Sequence, residues 1–335
     1  MFDLIIIGGS AAATTAGIYA ARRGLNPARP GDTGRSGGFK IITKDFGGEM
    51  ATSGEIGNWP GITQVDGMEL ASQFKNHLNF YGVVPEEGVE VEKVTKQEDG
   101  TFLIKTKNGN DYSAKTVIVA TGVHPRELNV EGEKEFRNKG VSYCTVCDGP
   151  LFAGKTTAVV GGGNSALEAG LMLADISSKV YMINKNNQFK GDSILLDKLM
   201  SKKNVEIVYN AKTTKIAGKQ FVDSLKYEKD PAQSNSADRH SEKGRSLGGA
   251  SGEQEIKVDG IFIHIGMIPN SYIVPSEVQK NDTGEIVVNK NCETNVPGLY
   301  AAGDVTDVSF NQIVIAAGQG CIALLSAVQY LNKFK

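Results

Sequence analysis

The chain has 335 residues, with 36 Lys plus Arg against 38 Asp plus Glu and a formal net charge of −2. That length carries two domains with cores of their own, and the even charge balance excludes a protein held to nucleic acid through phosphate contacts. Four cysteines in a chain this long are not a disulfide framework. No apolar run reads as long enough to span a membrane, and the N-terminus enters a strand without the basic start of an export signal, so a cytoplasmic protein is expected.

In chain order, Asp3 to Gly8 reads as a buried strand, Ala11 to Arg23 as an Ala-rich helix and Phe39 to Thr43 as the returning parallel strand. This is the strand–turn–helix–strand pattern of a dinucleotide-binding unit. Such a unit uses three glycines: one for the tight turn, one so that backbone can approach a pyrophosphate, one so that helix packs on strand. Here the three places hold Gly8, Ser10 and Ala13, a degraded fingerprint. Gly67 to Tyr81 has helical spacing, and Phe102–Lys107 and Tyr112–Val119 flank the hairpin signal Asn108-Gly109-Asn110. A second unit begins at Thr156: strand to Val160, a loop with Gly161, Gly163 and Ala166 in the three places, a helix to about Ile176, and a strand from Lys179 to Ile183. Gly298 to Asp304 reads as strand plus turn, and Gln312 to Tyr330 as a long apolar helix.

The expected fold class is therefore α/β: two Rossmann-like, three-layer dinucleotide-binding domains, the second inserted in the first. The outer domain is expected over 1–122 and 262–335 and the inner one over 123–261. Two polar stretches without periodicity, 27–38 and 231–252, read as flexible surface insertions.

Between the two loops lies Cys144-Thr145-Val146-Cys147-Asp148. A CxxC pair can close a small reversible disulfide, and an acid beside it can move a proton. Zinc would need four ligands; no second CxxC accompanies this one and His77, His124, His240 and His264 are scattered, so no metal site is expected. The acceptor strand of the second unit ends at Asn184-Lys185, where an NAD-specific site carries Asp or Glu for the ribose 2′-hydroxyl. Lys185 and Lys190 are available to a 2′-phosphate as point charges; the alternative is that both are simply solvated.

Seven ordered motifs resemble the low-molecular-weight thioredoxin reductases, flavoproteins of the two-Rossmann disulfide reductase superfamily. They are IIIGGSAAATTAGIYAARRG, GGEMATSGEIGNWPG (Gly47 to Gly61), VIVATG (Val117 to Gly122), CTVCDG (Cys144 to Gly149), VVGGGNSALEAG (Val159 to Gly170), GLYAAGDV (Gly298 to Val305) and NQIVIAAGQGCIA (Asn311 to Ala323). The resemblance implies FAD on the outer domain and NADPH on the inner one. It puts Gly8, Ser10, Ala11 and Ala12 at the FAD pyrophosphate, and Thr43, Gly48, Glu49 and Asn58 near its ribose, pyrophosphate and flavin. Ala120, Thr121 and Gly122 border the cofactor; Gly303 and Asp304 meet the ribityl chain; Gln312 and Ile313 meet the flavin ring. Gly161, Gly163, Asn164, Ser165, Lys185 and Lys190 fall to the pyridine nucleotide, and Cys144, Cys147 and Asp148 to catalysis.

The family's arginine-rich 2′-phosphate cluster is replaced here by Asn184 to Lys190; NADH or dual use stays open beside NADPH. The resemblance further implies thioredoxin or a similar small redox protein as partner, a homodimer, and an inner domain that turns on crossings near Gly122–Pro125 and Gly260–Gly266. Other readings are a ferredoxin donor, another redoxin partner, or a non-catalytic redox sensor. No nucleic-acid or membrane partner is expected.

Overall fold

In a computed structural model of the chain, residues 1–33, 37–53, 55–229 and 252–333 are described. In chain order the main elements are β1 (Phe2–Ile7), α1 (Ala11–Arg22), β2 (Phe39–Ile42), α2 (Gly48–Thr52), α3 (Gly67–Phe80), β3 (Val91–Lys96), β4 (Phe102–Thr106) and β5 (Tyr112–Val119). Then come β6 (Val141–Ser142), α4 (Thr145–Asp148), β7 (Thr156–Val160), α5 (Asn164–Ile176), β8 (Lys179–Ile183), α6 (Ser193–Met200) and β9 (Val205–Val208). The last are β10 (Ala211–Gly218), β11 (Val222–Lys229), β12 (Glu253–Lys257), β13 (Gly260–Ile263), β14 (Leu299–Ala301) and α7 (Ile313–Asn332).

The chain divides into two compact units, Met1–His124 with Ile268–Lys335, and Pro125–Met267. The second crossing between the units thus falls after Met267, past the expected 262. β13 pairs in parallel with β7 (Val160 opposite Ile263) and with β6 (Ile261 opposite Val141), so residues 260–263 are core strand of the inner unit.

The outer unit holds a six-stranded sheet in the order β2-β1-β5-β4-β3, with β14 also on β5. Ile7 lies opposite both Ile42 and Val119, so β1, β2 and β5 end level. Gly8, Thr43 and Ala120 therefore line one C-terminal edge, where open α/β sheets bind ligands. Phe2, Leu4, Ile5, Ile6 and Ile7 are buried, as a parallel strand covered on both faces requires. The inner unit holds an all-parallel sheet β9-β8-β7-β13-β6 and an antiparallel β10-β11-β12 sheet. Val160 lies opposite Ile183 and Ile263, which puts Gly161, Asn184 and His264 on its C-terminal edge.

Two expectations need correction. Of the stretch 27–38, the described part is anchored to β2. The N–H of Ala28 donates to the carbonyl of Phe39 at 2.8 Å, and buried Lys40 donates to the carbonyls of Arg29 (2.9 Å) and Asp32 (2.8 Å) while pairing with Glu86 at 2.6 Å. A buried ammonium must be surrounded by acceptors, and this stretch supplies two of them. Of the stretch 231–252, all but Gly252 lies outside the described residues. The other correction concerns α7, which is by length and composition long and apolar enough to cross a membrane, with 28% of its apolar window buried. Its Gly, Ala and Gln residues break the apolar run to the eye, but no charge interrupts it. It packs on α1 through Gly320, where a Cβ would overlap the carbonyl of Ala12.

Candidate functional site

In the outer unit the turn after β1 is built by close approach. A Cβ on Gly8 would overlap the carbonyl oxygen of Ala120, and one on Gly9 would stand 2.7 Å from Thr43 Oγ1. Gly8 also has φ +136, a conformation that side chains rarely adopt. α1 then starts after Ser10 with no side-chain cap and no acid in its first turn, so its orphan N–H groups and positive end are left to an anion. Ala11 and Ala12 are buried in that first turn. α7 likewise starts after Gln312 without a side-chain cap.

Asp304 carries the clearest mark of a missing partner. Its Oδ1 is buried and has no hydrogen-bond partner. Burial, and secondarily the charge of Glu49, pushes its carboxyl up to about 6. A buried carboxylate oxygen without a donor is costly, and a polyol hydroxyl would relieve it. Gly303, at φ +79, presents the neighbouring backbone; its N–H donates to Gln319 Oε1 at 2.7 Å. Asn58 and Gln312 meet, with Nδ2 donating to Oε1 at 3.0 Å, although 254 residues separate them. Gly48 has φ +55 and opens α2 beside Glu49 and Ser10. Thr121 is locked by Asn270: Thr121 Oγ1 donates to the Asn270 carbonyl and Asn270 Nδ2 donates back, both at 2.9 Å, and the Asn270 N–H donates to Gly122 at 3.0 Å. Ile313 is the first residue of α7. The uncapped helix ends and the orphaned Asp304 fit a dinucleotide with a polyol arm.

In the inner unit the second loop repeats the turn. A Cβ on Gly161 would overlap the carbonyl of His264, whereas at Gly163 nothing lies within 4 Å. α5 also starts without a side-chain cap. Asn164 and Ser165 are exposed, and Asn164 Oδ1 accepts from the N–H of Asp192 at 2.7 Å. Lys185 and Lys190 are exposed on the loop after β8, with no ion pair among the described residues. Asn184 is 1% exposed and bonded to its own loop: Nδ2 donates to Gln188 and Oδ1 accepts from the N–H of Asn186, both at 3.0 Å. These bonds shape the loop.

β6 leads directly into the dithiol. Cys144 and Cys147 are joined, Sγ–Sγ 2.19 Å and Cα–Cα 5.3 Å, and both are half-buried. Cys144 is the N-cap of α4 and its Sγ accepts from the N–H of Cys147 at 3.2 Å. Several residues around them escape a motif search. Ser142 Oγ donates to Asp148 Oδ2 at 2.6 Å and accepts from the Cys144 N–H at 3.0 Å. Thr145 Oγ1 lies 2.7 Å from His264 Nε2, and burial pushes that imidazole down to about 4. Tyr143 donates to buried Glu133 at 2.8 Å, and Glu133 also accepts the N–H groups of Leu128 and Asn129 at 2.7 Å, so the residue before Cys144 is pinned. Capping rules could have suggested Ser142 as a local acceptor; nothing local marks His264 or Asn270. Among the described residues no group of three or more His, Cys, Asp or Glu side chains could hold a metal ion.

The thioredoxin reductase of Streptococcus pyogenes superposes with a TM-score of 0.84 at 31% identity, covering 100% of this chain and 99% of that one. The thioredoxin reductase of Giardia duodenalis gives a TM-score of 0.81 at 28% identity, covering 98% of each. A Bacillus subtilis protein named NADH dehydrogenase is 37% identical over 98% of this chain, and a subunit of the Escherichia coli alkyl hydroperoxide reductase is 38% identical over 100%. The chain spans 58% and 59% of the lengths of those two relatives. The family described as pyridine nucleotide-disulphide oxidoreductase matches residues 2–320. The chain therefore belongs to the pyridine nucleotide-disulphide oxidoreductases and has the fold of their low-molecular-weight thioredoxin reductases.

Proposed function

We propose that the chain is a flavin-dependent disulfide reductase that takes electrons from NADPH and delivers them, through Cys144 and Cys147, to the disulfide of thioredoxin or a similar small redox protein in the cytoplasm. The observation that carries the reading is a half-buried Cys144–Cys147 pair with Asp148 beside it, in a unit that also holds an uncapped nucleotide loop. The residues from Gly8 to Ala12, Thr43, Gly48, Glu49, Asn58, Ala120 to Gly122, Gly303, Asp304, Gln312 and Ile313 would hold FAD. When bound, FAD supplies two-electron chemistry between a nicotinamide and a disulfide. Gly161, Gly163, Asn164 and Ser165 would hold the pyridine nucleotide's pyrophosphate at the α5 end, with Lys185 and Lys190 beside the adenosine half.

The chain's own groups do the rest. Once the dithiol is reduced, one cysteine thiolate attacks the partner disulfide and the other closes on the resulting mixed disulfide. Asp148 gives the departing partner thiolate its proton. Exposed Val146 (55%) and Leu151 (46%) flank the pair and offer the partner an apolar landing. Val314 (46%) and Ile322 (40%) leave an apolar face on α7, which supports a homodimer.

A second reading changes the donor and the partner. Neutral Asn184 in place of an acid imposes no charge selection on the nucleotide, and relatives are named as an NADH dehydrogenase and as part of an alkyl hydroperoxide reductase. NADH or dual use, and a partner serving peroxide reduction, belong to that reading. Stopped-flow reduction of the flavin-loaded protein by NADPH and by NADH decides the donor; bleaching by neither defeats the NAD(P)H-dependent reading. Cys147→Ser is expected to leave flavin bleaching intact and to abolish turnover with thioredoxin.

A further inference from the structure

We propose that Ser142 is a positioning residue for the proton transfer at the dithiol, holding the Asp148 carboxylate against the redox pair. The inference rests on the reading of Asp148 as proton carrier.

Ser142 ends β6, opposite Phe262 of β13 in the parallel register, so its backbone is part of the inner sheet. Its side chain is 4% exposed. The hydroxyl does two things at once. It donates to Asp148 Oδ2 at 2.6 Å and accepts from the N–H of Cys144 at 3.0 Å. The carbonyl of Cys144, at 3.3 Å, is the weaker acceptor for the same proton. A hydroxyl-to-carboxylate bond of this length is charge-assisted and about twice as strong as a neutral one. It ties the acid to the first cysteine across one atom, and the N–H of Asp148 closes the same ring onto the Cys144 carbonyl at 3.0 Å.

The consequence is rotational. α4 is a single short turn, and Asp148, half-buried, is its last residue. With Oδ2 committed to Ser142, the carboxyl is held to one orientation at the end of the turn that carries both cysteines. Proton transfer to a departing thiolate demands such placement, because a general acid works only within hydrogen-bond reach of the atom it serves.

The test uses the flavin-loaded protein and dithiothreitol as probe. A dithiothreitol thiolate attacks one sulfur and the Cys144–Cys147 bond breaks. The departing cysteine thiolate takes a proton that Asp148 first draws from solvent and then hands on. The second dithiothreitol thiol then closes its own ring and releases the other cysteine, so dithiothreitol loses two electrons and the protein disulfide gains them. The rate is read anaerobically by trapping free thiols with iodoacetamide. Ser142→Ala is expected to slow reduction about tenfold when Asp148 is present, and to add nothing in an Asp148→Asn background. Ser142→Thr, which keeps the hydroxyl, is expected to restore most of the rate. Equal slowing by Ser142→Ala in both backgrounds would show a structural role only and overturn the proposal, as would no slowing with Asp148 present. If Asp148→Asn alone leaves the rate unchanged, the proton-carrier reading itself fails, and this inference falls with it. Thermal unfolding of each variant separates a folding defect from a kinetic one.

Discussion

The two glycine loops begin alike and are surrounded differently. In each, the first glycine lies so close to the next strand's end that a Cβ would strike a carbonyl, Ala120 for Gly8 and His264 for Gly161. Beyond the turn the first loop is walled. Ala11, Ala12 and Ala13 are buried, Gly320 of α7 presses on Ala12, and Asp304 is buried with an oxygen left without a donor. The second loop is open, with Gly163 facing empty space and Asn164, Ser165, Lys185 and Lys190 exposed. The loop that looks degraded as a motif is thus the more enclosed one. The close packing that a third glycine would provide has moved to α7, at Gly320. A walled site fits a group that stays bound; an open one fits a nucleotide that comes and goes.

The sharpest way to break this comparison is Asp304→Ala. Flavin affinity is expected to fall about 100-fold, read as flavin fluorescence released on dialysis, with pyridine-nucleotide affinity unchanged. An equal loss at both loops would mean that Asp304 is merely structural. The pH dependence has a defined sign. The carboxyl titrates near 6 folded against its ordinary 3.8, so between those values the native state holds the extra proton. The flavin-free protein therefore loses stability as pH rises through that window. A hydroxyl donating to the carboxylate favours the ionised form, so flavin affinity is expected to rise through pH 6 in calorimetric titrations. Asp304→Asn should flatten that rise.

An effect of similar size, on stability rather than on affinity, is expected behind the second loop. His264 titrates near 4 folded against 6.5 ordinarily, so between these values the unfolded chain binds the extra proton. Stability is then complete above about 6.5 and falls as pH drops towards 4, by up to about 3 kcal/mol. Denaturant titrations at about pH 4.5 and pH 7 should show this drop, and His264→Gln should remove it. An unchanged pH slope in that variant would assign the drop to other groups. The smallest effect belongs to the exposed cations. Lys185→Ala and Lys190→Ala should each weaken NADPH a few-fold, more at low salt, and leave NADH unchanged. Equal losses for both nucleotides would remove these lysines from 2′-phosphate recognition.

Much of the fold was legible because its signals are local. Apolar runs in the parallel strands, helical spacing in Gly67 to Phe80 and glycine turns at Gly8 and Gly161 each act within a few residues. The dithiol and its acid were legible for the same reason, three chemistry-bearing residues within one short motif. The second crossing was misplaced because β13 reads like any buried strand; only its pairing with β7 and β6 assigns it to the inner sheet. Lys185 and Lys190 were found as charges, but the loop bonds of Asn184 depend on where Gln188 and Asn186 turn back.

By itself, then, the amino-acid order determined two strand–turn–helix units, an inserted arrangement and a redox pair between the loops, since each follows from short-range sterics and periodicity. Only the tertiary structure decided which groups stand around them. Asn58 meets Gln312, His264 meets Thr145, Asn270 locks Thr121 and Asp304 loses water. These contacts join residues 119 to 254 positions apart, or arise from burial, and they exist only once the sheets have aligned their C-terminal edges.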